Sequence, residues 1–62
     1  MLKTIRLQNS MSQTQLAETS GVPVRFIQQY EQRRKDINKS NANTLLSLAR
    51  ALGCRIEDLL EL

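Results

Sequence analysis

The stretch SQTQLAETSGVPVRFIQQYE, residues 12–31, carries the signals on which the fold turns. Ser12 and Gln15 have the S-x-x-Q spacing of a capping box, in which the serine hydroxyl accepts the third amide of the helix and the glutamine side chain reaches back to the serine amide. The spacing predicts a helix that begins at Gln13, with Met11 and Leu16 placed as a hydrophobic staple around its cap. Ser20 and Gly21 predict its end, because glycine takes the left-handed conformation that closes many helices. Pro23 then predicts a new helix, at or next to its first position, where the missing N–H costs nothing. A link of about three or four residues, with Ala17 small enough for close approach, favours a sharp angle between two helices over a long antiparallel hairpin.

Working outward, the chain shows five apolar-periodic segments, and none alternates with period two for long enough to be a strand. The fold class is all-α. The first helix runs from about Leu2 to Gln8, with Leu2, Ile5 and Met11 inward. Tyr30 falls on the apolar face of the third, its hydroxyl near the surface. Asn41 or Asn43 caps the fourth helix, whose Leu45, Leu46, Leu48, Ala49 and Leu52 supply much of the core. Glu57 and Asp58 suit the first turn of the fifth electrostatically. Ile37, isolated in a polar segment, is expected to tuck back onto the core.

The 62 residues fit one domain, residues 1–62, too small for a deep catalytic cleft. A chain of this size buries only about 60% of its unfolded surface, so disulfides, a metal or economical helix packing must supply stability. One cysteine, Cys54, closes no intramolecular bridge, and with no histidine there is no ligand set for a structural zinc. Helix packing is what remains, and Cys54 itself reads as a buried apolar side chain. With no nucleophile beside a base and no phosphate-cradling loop, no enzyme activity, cofactor or small-molecule substrate is expected. The lone cysteine, the lack of a leader-like start and a longest apolar run of two residues point to a cytoplasmic protein with no membrane span.

Nine Lys and Arg against six Asp and Glu give a net charge of +3. Three of the acids, Glu57, Asp58 and Glu61, lie in the last six residues, whereas Arg33, Arg34, Lys35 and Lys39 crowd a seven-residue segment. Such a basic footprint suits nucleic acid or an acidic membrane surface; a solvated loop is the plainer alternative.

MSQTQLAETSGVPVRFIQQYEQ, residues 11–32, followed by NANTLLSLARALGCRIEDLL, residues 41–60, resembles the Cro/C1-type helix-turn-helix family, the small DNA-binding domains of phage repressors and many bacterial regulators. Leu16, Ala17, Gly21 and Val22 fill its L-A-x-x-x-G-V pattern; Ile27, Tyr30 and Glu31 fill I-x-x-Y-E; Leu48 to Gly53 fill L-A-x-A-L-G. The resemblance spans Leu2 to Leu60. It implies a five-helix, lambda-repressor-like bundle in which helix 3 enters the DNA major groove while helix 2 lies across the backbone. It also implies an ion pair between Arg6 and Glu31 that orients the reading helix. Three positions depart from the commoner pattern. Arg33 stands where many members have glycine, Pro23 where a Ser or Thr cap is more usual, and the segment Gln32 to Ser40 is about three residues longer than in the simplest repressors.

Helical geometry nominates a matching surface without the family. At about 100° per residue from Val24, Phe26, Tyr30 and Ile27 fall near 200°, 240° and 300°. Val24, Gln28, Gln32, Arg25 and Gln29 span the opposite arc. Glutamine amides match adenine N6 and N7, an arginine fork matches guanine O6 and N7, and Val24 suits a thymine methyl. Val24, Arg25, Gln28 and Gln29 are the candidate base readers, plain solvent exposure being the alternative for each glutamine. Gln13 at the N-terminus of helix 2, with Arg33, Arg34, Lys35 and Lys39, forms the candidate phosphate-binding set. The reading is a sequence-specific double-stranded DNA-binding transcriptional regulator, a repressor, bound as a homodimer to a palindromic operator. Leu59, Leu60 and Leu62 are candidates for the dimer interface, although Leu59 or Leu60 can equally close the core. The rival reading is a protein-binding helix-turn-helix module such as an antitoxin or adaptor.

Overall fold

The computed structural model describes residues 2–60, and within them the chain is all helical, with five α-helices and no strand. The helices are α1 (Leu2–Gln8), α2 (Gln13–Ser20), α3 (Val24–Glu31), α4 (Ala42–Leu52) and α5 (Ile56–Leu59), with one turn of 3-10 helix at Ile37–Lys39.

The local signals act as read. Ser12 is the N-cap of α2: its Oγ accepts the Gln15 N–H at 3.0 Å, and its own N–H donates to Gln15 Oε1 at 2.8 Å. Gly21 closes α2 at φ 78°, donating its N–H to the Ala17 carbonyl at 2.8 Å. A Cβ built there would meet nothing within 4 Å, so the positive φ, rather than crowding, is what calls for glycine. Pro23 is the N-cap of α3, one residue before its first turn. Asn41, not Asn43, caps α4, its Oδ1 accepting the Thr44 N–H at 2.9 Å. At α5 the Arg55 N–H donates to Asp58 Oδ2 at 3.1 Å.

Ser12→Ala removes one of two reciprocal bonds and lowers stability by about 0.5 to 2 kcal/mol. The check is the thermal midpoint followed by circular dichroism. Ser12→Asp, which retains an acceptor at the cap, stays near the parent.

The core gathers Leu16, Ile27, Leu48 and Leu59, fully buried, one from each of α2, α3, α4 and α5. Leu2 of α1, Val22 of the turn, Tyr30, Ile37, Leu45, Ala49 and Leu52 complete it. α2 packs on α3 and α4, α5 on α4, and α1 on α3. α3 is thus held from behind by α1 and α2. Ile37 does return to the core, 5% exposed, and carries the 3-10 turn with it.

Two residues, Leu46 and Cys54, differ from the sequence reading, and Leu59 resolves a choice it left open. Leu46 is exposed: it sits about 100° around α4 from Leu45, whereas Leu48, Ala49 and Leu52 stay within about 60° of it. Cys54 is half-buried against the core rather than enclosed, because it follows Gly53, which leaves the helix at φ 65°. Leu59 is fully buried and closes the core, so it is not free for an interface, while Leu60 is half-buried beside it. Leu62 lies outside the described residues.

Candidate nucleic-acid interface

α3 is amphipathic in the simplest sense. Ile27 and Tyr30 are buried and Phe26 is half-buried, while Val24, Arg25, Gln28, Gln29 and the capping residue Gln32 are exposed. All four candidate base readers therefore lie on one solvent-facing arc. Gln32 shares it, as the C-cap of the helix.

Behind α3 stands a three-helix tie. Arg6, 7% exposed, donates from Nε to Glu31 Oε2 at 2.8 Å and from Nη2 to Oε1 at 2.9 Å, a two-bond fork. Its Nη1 donates to the Met11 carbonyl at 2.7 Å, which secures the chain between α1 and α2. Gln13 Nε2 adds a third donor to Glu31, reaching Oε1 at 3.1 Å. Burial pushes the Glu31 carboxyl up, but the hydrogen bonds from Arg6 and Gln13 and the charges of Arg6 and Lys3 outweigh it and hold the group below the usual carboxylate range. Its hydrogen bond to Glu31 in turn raises Arg6, against the opposing effect of burial. Glu31, the last residue of α3, is thus tied to α1 and to the first residue of α2.

Gln13 has a position that the sequence reading did not foresee. It is half-buried with its amide committed to Glu31, so the first-turn backbone amides of α2 are what it leaves to an anion.

The basic set follows α3 directly. Arg33, Arg34, Lys35 and Lys39 are all exposed and flank the helix end. Arg33, Arg34, Lys35 and Asp36 line one shallow cavity with Tyr30 and Ile37. Asp36 Oδ1 accepts the Asn38 N–H at 2.9 Å and opens the 3-10 turn. Two contacts fasten this segment to α3, and neither has a local sequence signal. The Lys35 ammonium lies 4.8 Å from the centroid of the Phe26 ring, a cation–π contact, and the Tyr30 hydroxyl meets Ser40 Oγ at 2.6 Å. Lys35 therefore has an internal partner that the other three cations of the set lack among the described residues.

Among the described residues no group of His, Cys, Asp or Glu is placed to hold a metal, and no helix is long and apolar enough to cross a membrane. Burial and, to a lesser degree, Asp58 push the Cys54 thiol above its usual range.

Two short helices joined through a left-handed glycine, the second with an exposed polar arc and a basic turn at its end, define a helix-turn-helix of the DNA-binding type. The helix-turn-helix family model matches residues 2–59, and the chain belongs to this family, in its Cro/C1-type form. Comparison with curated proteins and with solved structures returns no match.

Proposed function

We propose that the chain is a sequence-specific regulator of transcription that reads double-stranded DNA with α3 in the major groove. The observation that carries this reading is the exposed arc of Val24, Arg25, Gln28 and Gln29 beside an exposed cluster of four cations. In the proposed complex Gln28 and Gln29 pair with adenine edges, Arg25 forks onto guanine, and Val24 meets a thymine methyl. Neutral amides discriminate without adding indiscriminate attraction. Affinity comes from phosphates held by Arg33, Arg34, Lys35, Lys39 and the N-terminus of α2 at Gln13. Lys35 gives up a contact worth about 0.5 to 1 kcal/mol with Phe26 if it turns to the backbone.

One copy covers little duplex, so we assign the active form to a homodimer on a palindromic operator with half-sites about one helical turn apart. Repression is the proposed mode, the bound dimer excluding the transcription machinery from a promoter that its operator overlaps.

Selection of bound sequences from random duplexes, followed by a salt titration, tests the proposal. A recovered motif and a log–log salt slope steeper than about −3 are expected from four or more phosphate contacts. No enriched motif with weak, flat salt dependence would instead favour the protein-binding module. Within this experiment Arg25→Ala and Gln29→Ala shift preference at particular base pairs by about 1 to 3 kcal/mol, whereas Arg34→Ala weakens all duplexes alike and makes the slope shallower by about 1. Uniform weakening by Arg25→Ala would remove it from the base-reading set.

A further inference from the structure

Four residues of the described chain have left-handed backbone: Gly21, Gly53, Ser10 and Arg33. At the ends of α2 and α4 the residue is glycine, and in both places a Cβ would find open space, so the sign of φ by itself selects the residue. At the end of α3 the same requirement is met by an arginine at φ 60°. A side chain there strains the backbone, because Cβ crowds the adjacent carbonyl.

Arg33 is exposed, and among the described residues its guanidinium has no hydrogen bond, ion pair or ring contact. The turn itself is made by backbone: the Arg33 N–H donates to the Tyr30 carbonyl at 3.2 Å, and the Arg34 and Lys35 amides both donate to the Gln29 carbonyl, at 2.8 and 3.3 Å. A left-handed turn of this kind can expose successive amides to an anion, but here those amides are spent on closing the helix. An anion at this turn has only side chains to hold it. Arg33, Arg34 and Lys35 border the same cavity.

We propose that Arg33, already assigned to the phosphate-holding set, is kept against the interest of the fold: its charge is retained for DNA at a position whose left-handed backbone glycine would adopt with less strain. This rests on the DNA-binding reading. It extends that reading by predicting opposite signs for stability and binding at one position.

The test uses the full chain, a duplex of the selected motif, and three variants. Arg33→Gly leaves the turn intact, since relief of strain exceeds the folding entropy that glycine loses, and raises the thermal midpoint by about 2 to 6 °C. It weakens duplex binding by about fivefold at 0.15 M salt and makes the log–log salt slope shallower by about 0.9, the share of one phosphate. Arg33→Lys keeps both the strain and the charge, and retains the parent midpoint and slope. Ser10→Gly relieves the same kind of strain, at φ 57°, away from the basic turn; it raises the midpoint and leaves binding unchanged.

An Arg33→Gly variant that binds with the parent affinity and slope, or that is no more stable than the parent, overturns the proposal while the DNA reading stands. So does an Arg33→Lys variant with the shallower slope of Arg33→Gly. A parent chain with no salt-dependent duplex binding overturns the DNA reading and the proposal together.

Discussion

Arg6→Ala lowers the unfolding free energy by about 3 to 5 kcal/mol, because it leaves the Glu31 carboxylate buried without its forked partner. At about 0.05 to 0.15 kcal/mol per residue, a fold of this length holds roughly 3 to 9 kcal/mol in total, so the loss takes about half of the stability or more. The effect has a pH signature. In the parent, Glu31 is held below the usual carboxylate range, so the contribution of the pair is complete above the unfolded value of about 4.3 and is lost as pH falls through the folded value. In the variant, burial is opposed only by Gln13 and by the charge of Lys3, and the carboxyl moves up toward protonation. The gap between parent and variant therefore closes on acidification. Urea unfolding at pH 7 and at pH 3 measures it: a large difference that shrinks is the expected pattern, and a difference under about 1 kcal/mol at pH 7 would show the pair to be a minor tie. A double-mutant cycle with Glu31→Gln isolates the coupling.

Ile27→Ala is the second large loss, about 2 to 5 kcal/mol. Ile27 is fully buried, and it sits on α3 between half-buried Phe26 and exposed Gln28. Truncation opens a cavity in the core, whose other fully buried side chains, Leu16, Leu48 and Leu59, come from three other helices. Ile27→Val, which removes one methylene, costs about 0.5 to 1.5 kcal/mol and separates cavity from chemistry. Denaturant midpoints of the two variants should fall in that order. Their duplex selectivity, measured at a temperature where each is folded, should match the parent, because no side chain of the exposed arc has changed. An altered motif in Ile27→Val would mean instead that a single methylene behind α3 sets the position of the helix.

The helix boundaries were legible in the sequence wherever a local rule fixes them. The Ser12 and Gln15 box, Gly21 and Pro23 act within a few residues of themselves, so no knowledge of tertiary structure is needed to place α2 and α3. The exposed arc of α3 follows from periodicity in the same way. Leu46 shows the limit of counting apolar residues: its angle around α4 excludes it from the core, although its composition suggests otherwise. Cys54 lies beyond a helix end, where no period applies. The contacts that shape the basic segment, Lys35 on Phe26 and Tyr30 with Ser40, join residues nine and ten positions apart across an irregular turn. They have no spacing signature, and the same is true of the bond from Gln13 to Glu31. A contact of that kind is created by packing and becomes visible only after the packing is known.

The length of α3 has a consequence of a different sort. Eight residues make a rod about 12 Å long, and isolated helices shorter than about 12 to 15 residues are marginal in water. None of the five helices reaches that length. A peptide cut from Gly21 to Arg34 would therefore populate mostly coil, however faithfully it copied the exposed arc. Recognition and folding are then linked equilibria: a duplex at 100 times its Kd adds about 2.7 kcal/mol to the stability of the fold, and every destabilised variant binds more weakly by the fraction of molecules in which the arc does not exist.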